Sequence, residues 1–193
     1  MSTLPIYLIA MTDNADRKQT IQALVDRLDP IVVEAIKDAN PWVGNCLSHL
    51  RVAELAKKEF PESSYMVLED DAVIRDEKVW SLVEEHKDVD ILYLGYNGLC
   101  NHTIPVNTEY VWGTHALVVS PKARDAIIDT FETILTLKFW TTKIGFDSML
   151  TVVQSVAKLT SWKPPFHERY NYICQKEGLV SMLSGTKRQN IIL

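Results

Sequence analysis

Cysteine is scarce in this chain of 193 residues: Cys46, Cys100 and Cys174 lie far apart and form no CxxC pair. An odd, dispersed set gives neither a zinc ribbon nor a disulfide framework. A chain of this length buries roughly 70% of the surface it exposes when unfolded, so it needs no such staple. Glycine and proline are also sparse, seven and eight residues, and no linker, repeat or low-complexity tract divides the sequence. One domain over residues 1–193 is the expectation. Positive charge is in deficit, 20 Lys plus Arg against 25 Asp plus Glu for a net −5, and Lys57-Lys58 and Lys187-Arg188 are isolated doublets. Duplex nucleic acid, which is held by clustered basic residues, is therefore not an expected partner. No stretch approaches the roughly 20 apolar residues that span a bilayer. The apolar start Met1 to Thr12 lacks a basic flank, so the expectation is a cytoplasmic chain with no transmembrane segment. GxGxxG, GxxxxGK[ST] and GxSxG are all missing, which lowers the standing of Rossmann oxidoreductases, P-loop enzymes and α/β hydrolases.

What is present is an alternation of apolar runs and helical periods. Ile6 to Ala10 is an apolar run; Thr12-Asp13-Asn14 follows, and then Arg17, Ile21, Leu24, Val25 and Leu28 recur at helical spacing, which predicts strand, cap and helix. Ile31 to Val33 is short and β-branched, and Cys46, Leu50, Ala53, Ala56 and Phe60 repeat at helix period after a turn region ending in Pro41 and Gly44. Tyr65 to Leu68 and Ile91 to Leu94 are continuous apolar runs that stop at Glu69-Asp70-Asp71 and at Gly95, the pattern of buried strands. Tyr110 to Val119 is rich in β-branched and aromatic residues with Gly113 in its middle, and Ser120-Pro121 signals a helix start. That helix carries Ala123, Ile127, Thr130, Phe131 and Ile134, and another after Gly145 carries Phe146, Met149, Leu150 and Val153. The order predicts an α/β fold, a mostly parallel central sheet with helices on both faces. Ligands in such folds sit at the carboxyl ends of strands, here Thr12 to Arg17, Glu69 to Asp71 and Gly95 to Asn97.

Three consecutive carboxylates after a buried strand repel one another and call for water or a hard divalent cation. Mg²⁺ or Mn²⁺ held by one or two carboxylates plus phosphate oxygens suits a nucleotide diphosphate. The alternative is that Asp70 or Asp71 starts the next segment while the others face solvent. Gly44 to Leu50 is expected to open a helix, whose free amides and dipole would favour an anion, with Ser48 and His49 as donors. His49 also shares a helical side with Cys46, Ala53 and Ala56, which fits a hydrogen-bonded core histidine. Arg17, in the first helix, could bond a phosphate or form a surface pair. His86, His102, His115 and His167 show no paired metal spacing, so each alone is expected to be structural or exposed.

Taken in order, these pieces resemble glycosyltransferase family 25, the group of lipooligosaccharide and procollagen galactosyltransferases. Tyr7-Leu8-Ile9-Ala10 with Asp16-Arg17 resembles the family's opening strand and its acidic-Arg pair, and Gly44-Asn45-Cys46-Leu47-Ser48-His49 its Gly-x-x-x-Ser-His segment. Glu69-Asp70-Asp71 is similar to the Glu-Asp-Asp form of its DxD site, and Asp90 to Gly95 to its next strand. Gly113-Thr114-His115-Ala116 through Ser120-Pro121-Lys122-Ala123 and Phe146-Asp147-Ser148 resemble its later motifs, as do Gln175 and Ser181 its terminal Gln and Ser. Where the lipooligosaccharide enzymes tend to show Ala-Val-Asp-Gly, this chain has Ala35-Ile36-Lys37-Asp38.

The resemblance implies a GT-A-like fold that uses Mn²⁺ or Mg²⁺ to transfer a sugar from a nucleotide-sugar donor, a UDP-sugar first. The acceptor would be a hydroxyl of a glycan, lipid-linked or glycoprotein molecule, in surface glycan synthesis. It implies Asp71 as first metal ligand, Glu69 as second and Asp70 in support, with His167 as the late histidine that completes the shell in many GT-A enzymes. On the donor side it implies Arg17, Ser48, His49, Glu69 and Asp70. Asp147 is the candidate general base, and its competing reading is a helix N-cap. Two rivals stay open: a catalytically silent GT-A-like module that binds a nucleotide or glycan, and a phosphohydrolase, which would need a nucleophile with a stabilising lysine.

Overall fold

The computed structural model describes residues 4–95, 98–100, 110–136, 145–162 and 173–175. Its elements in chain order are β1 (Ile6–Ala10), α1 (Lys18–Leu28), β2 (Ile31–Glu34), α2 (Pro41–Glu59), β3 (Tyr65–Glu69), β4 (Ala72–Ile74), α3 (Lys78–Glu85), β5 (Ile91–Gly95), β6 (Gly98–Cys100), β7 (Tyr110–Trp112), β8 (Ala116–Val119), α4 (Pro121–Thr136), α5 (Phe146–Ala157), β9 (Ser161–Trp162) and β10 (Ile173–Gln175). Six strands form the central sheet in the order β2-β1-β3-β8-β5-β9, while β10-β4 and β6-β7 make two small ribbons. β1 runs parallel to β2 and β3, and β5 parallel to β9. β8 lies antiparallel between β3 and β5, so it alone opposes the shared direction and the sheet is mixed.

Successive strand residues point to opposite faces, and each face has its own core. Tyr7, Ile9, Tyr65, Val67, Ile91, Tyr93, Leu117 and Val119 pack with α2, α4 and α5. Their alternating neighbours Leu8, Ala10, Met66, Leu68, Leu92, Leu94, Ala116 and Val118 pack with Leu24 of α1 and Val79 of α3. Each Val, Leu, Ile or Met among them contributes roughly 1.5–3 kcal/mol. Runs apolar at every position are what a sheet covered on both sides requires.

Helix α2 begins at Pro41, earlier than the Gly44 start expected from the sequence. Asn40 is its N-cap, its side chain accepting from the Trp42 amide at 3.1 Å, and Pro41 fills the first turn. Gly44 N donates to Asn40 O at 3.1 Å, so Gly44 to Leu50 lies inside the helix and its amides are not free for an anion. Gly44 is needed for close approach, since a Cβ there would stand 2.5 Å from the Ile36 carbonyl oxygen. The Ser120 expectation holds: its hydroxyl accepts from Ala123 N at 3.1 Å ahead of Pro121. At α5 the N-cap is Gly145, with Asp147 in the first turn; this corrects the reading of Asp147 as the cap.

Candidate active site at the carboxyl end of the sheet

β3 ends in Glu69, and the turn after it carries Asp70 and Asp71 down into the protein, where Asp71 is only 3% exposed. Arg17, just ahead of α1 and equally buried, reaches both: its Nη1 lies 2.8 Å from Asp70 Oδ1 and 3.0 Å from Asp71 Oδ2. The second oxygen of Asp70 accepts from Met11 N at 2.9 Å. One guanidinium faces two aspartates, and burial outweighs its pull: the Asp70 and Asp71 carboxyls are both raised above the ordinary range, with the charges of neighbouring carboxylates adding to the rise. Glu69 goes the other way. Burial raises it, but the hydrogen bond and charge of His49, the charge of His115 and the Asn45 amide together hold it below the usual value.

Those partners come from α2 and β8. Asn45 Nδ2 donates to Glu69 Oε1 at 3.1 Å, and His49 Nε2 lies 3.0 Å from the same oxygen. Asn45 and His49 are four residues apart and share one face of the helix. The imidazole of His49 also stacks on Phe146, with ring centres 3.9 Å apart and planes 4° from parallel. Asp147 follows directly. Its Oδ1 accepts from Ser148 N at 2.7 Å and its Oδ2 from Gly113 N at 3.4 Å. Burial, with the charge of Glu69 adding, lifts its carboxyl above the ordinary Asp range despite those bonds. Cys46 sits nearby, its thiol pushed up to about 12 by burial and by the charge of Asp147, so it is inert as a nucleophile at neutral pH.

The fold thus brings together Arg17, His49, Glu69, Asp70, Asp71 and Asp147. Ser48 is spent inside the fold: its hydroxyl accepts from Ile36 N at 2.8 Å and donates to Gly44 O at 2.7 Å, tying β2's exit to α2. Lys37 pairs with Asp13 at the exposed rim. His167, Asn97 and Ser181 lie outside the described residues. Two site residues escape the sequence reading, Asn45 on α2 and His115 on β8. His115 is fully buried and its charge lowers both Glu69 and Asp71, because β8 runs antiparallel to β3 and sets His115 O 3.0 Å from Glu69 N.

Among the described residues no three His, Cys, Asp or Glu side chains form a ready cage for a metal ion. The chemistry of the donor set still fits a hard cation that shares its shell with phosphate. The single guanidinium of Arg17 stands against both Asp70 and Asp71, which leaves carboxylate charge for a cation to balance, and such cations need only one or two protein carboxylates.

No protein-family model matches the chain. Over 99 residues, 47% of the chain, it is 37% identical to an ATP phosphoribosyltransferase of Solidesulfovibrio magneticus, of which the match covers 32%. The chain thus spans about a third of that protein's length. Among solved structures it is similar to a glycosyltransferase involved in the glycosylation of the major capsid of PBCV-1, with a TM-score of 0.59 and 12% identity over 91% of this chain and 93% of that one. It is also similar to A197 from STIV, with a TM-score of 0.50 and 11% identity over 83% and 81% of the two chains. At these identities the likeness is one of fold. That fold is GT-A-like, as the resemblance implies, and its sheet flanked by helices is the α/β layering that the sequence order predicts. No helix of the described residues is long and apolar enough to cross a membrane.

Proposed function

We propose that this chain is a glycosyltransferase of the family 25 type, moving a hexose or pentose from a nucleoside-diphosphate sugar, a UDP-sugar first, to a hydroxyl of a glycan, lipid-linked or glycoprotein acceptor. The observation that carries this reading is the meeting of two kinds of carboxylate at one end of the sheet. Glu69 to Asp71 leave β3 as a charge excess, and Asp147 reaches the same place from α5, close enough for Glu69 to shift it. In direct displacement the acceptor oxygen bonds to the anomeric carbon, the bond from that carbon to the phosphate oxygen breaks, and Asp147 takes the hydroxyl proton. A base whose pKa is lifted toward the working pH suits that step, worth roughly 10²- to 10⁴-fold. Asp71 and Glu69, with Asp70 in support, are the oxygens that would hold Mn²⁺ or Mg²⁺. When bound, that ion supplies positive charge for the departing diphosphate. Arg17 keeps the two aspartates in place, and His49 and Asn45 keep Glu69 ionised and oriented.

The test is a calorimetric and thermal-shift panel of UDP-, GDP- and CMP-sugars with and without Mn²⁺, since a ligand of the native state raises stability by RT ln(1 + [L]/Kd). ATP belongs in the panel because the partial relative is an ATP phosphoribosyltransferase. Binding of one nucleotide-sugar class, lost in Asp71→Ala, supports the transferase. Binding of a nucleotide sugar without any turnover favours the silent module, and selective binding of ATP would overturn the donor assignment.

A further inference from the structure

One face of α2 touches both halves of this site. Trp42, Asn45, Cys46 and His49 recur at three- and four-residue spacing, which lines them up along a single side of the helix. Trp42 abuts the start of α5, where a Cβ on Gly145 would stand 2.8 Å from its Cε3. Asn45 bonds Glu69, and Cys46 feels the charge of Asp147. His49, 2% exposed, contacts both sides, bonding Glu69 through Nε2 and stacking flat on Phe146, the residue before Asp147. A carboxylate can only accept, so Nε2 carries the proton in that bond.

The geometry points to His49 as a positioning residue that couples the orientation of Glu69 to that of the Asp147 segment, and so sets the gap between the donor's diphosphate and the base that activates the acceptor. This rests on the transferase reading above. The two contacts are chemically separable. The hydrogen bond holds the donor side, and the ring stack holds the base side. A shift of about 1 Å in such a gap costs on the order of 10²-fold in rate, without need for any lost contact to substrate.

Three variants separate the contacts. His49→Gln can still donate to Glu69 but cannot stack; His49→Phe can stack but cannot donate; Phe146→Leu removes the stack from the α5 side. Donor affinity is read by calorimetry with UDP-galactose and UDP-glucose, turnover by transfer of the sugar to water, and local order by amide exchange of residues 146–149. His49→Phe is expected to weaken donor binding about tenfold with those amides still protected. His49→Gln and Phe146→Leu are expected to bind donor within about twofold of wild type, lose about tenfold or more in kcat, and exchange faster at 146–149. Parallel losses of affinity and kcat in all three, or wild-type kcat in His49→Gln, would overturn the proposal. If the His49 variants do not fold, Phe146→Leu carries the same split from the other element. A wild-type protein that binds no nucleotide sugar removes the transferase reading instead. The exchange comparison then still decides the coupling: unchanged protection at 146–149 in His49→Gln would overturn it.

Discussion

Buried charge occurs at both ends of the central sheet, and the two ends treat it differently. At the amino end, Asp90 precedes β5 and is fully matched: Oδ2 accepts from Thr160 N at 2.8 Å, Thr160 Oγ1 at 3.0 Å and Lys122 Nζ at 3.0 Å, while Oδ1 accepts from Ser120 Oγ at 3.3 Å. Burial would raise its carboxyl, but the Thr160 and Lys122 bonds more than offset it and the pKa falls below the ordinary value. Arg124 at that end caps the carbonyls of Phe60 and Pro61, at 3.2 and 2.8 Å. At the carboxyl end, burial wins at Asp70, Asp71 and Asp147, all held above the ordinary range. Matched charge fastens the fold. Excess charge, kept at a cost in stability, is what a site for a cationic ligand or a proton acceptor requires.

Arg17→Met strips the guanidinium from two buried carboxylates. A loss of about 3–5 kcal/mol is expected in chemical denaturation; a loss below 1 kcal/mol would mean that the aspartates are compensated by something else. Asp90→Ala at the other end should cost about 2 kcal/mol and leave nucleotide-sugar affinity unchanged, so a change in affinity would join ends that the account keeps apart. Ser120→Ala removes the N-cap of α4 and should cost about 1 kcal/mol, again with donor binding intact. The smallest effect carries the opposite sign. A carboxyl whose folded pKa is raised adds stability below its unfolded value and loses it as the pH rises through the folded one. Asp147→Asn keeps an acceptor for Ser148 N and should therefore melt slightly higher than wild type at pH 7. That advantage should vanish as the pH falls below the ordinary Asp range. Asp90 gives the mirror image. Its contribution is present above the unfolded Asp value and is lost as the pH falls through its depressed one, and thermal melts of Asp90→Asn across that range check it.

Much of the frame was legible because a sheet covered on both faces writes itself as unbroken apolar runs. β1, β3 and β5 needed no further signal, and Glu69-Asp70-Asp71 stood out as charge at the end of such a run. Direction was not legible. Nothing in Ala116 to Val119 distinguishes a parallel strand from the antiparallel β8, and that direction alone delivers His115 to the site. The start of α2 is masked because Gly44 looks like a turn residue, whereas the Asn40-Pro41 pair performs the capping and Gly44 answers a close approach to Ile36. β4 and α3 leave no clear pattern, the first because three residues make no period, the second because Val79 is its sole buried residue. Ser48 shows the limit of motif position: its place suggested the donor, and its hydroxyl is bonded within the fold.

On the transferase reading the carboxyl end divides its labour: Glu69 to Asp71 would hold the donor and Asp147 would take the proton. Titration of Asp147→Asn with a UDP-sugar, followed by turnover of that sugar on the same sample, tests this directly. Wild-type affinity with turnover reduced at least 10²-fold is the expected result. Turnover near the wild-type rate, or loss of affinity equal to the loss of rate, would contradict the account.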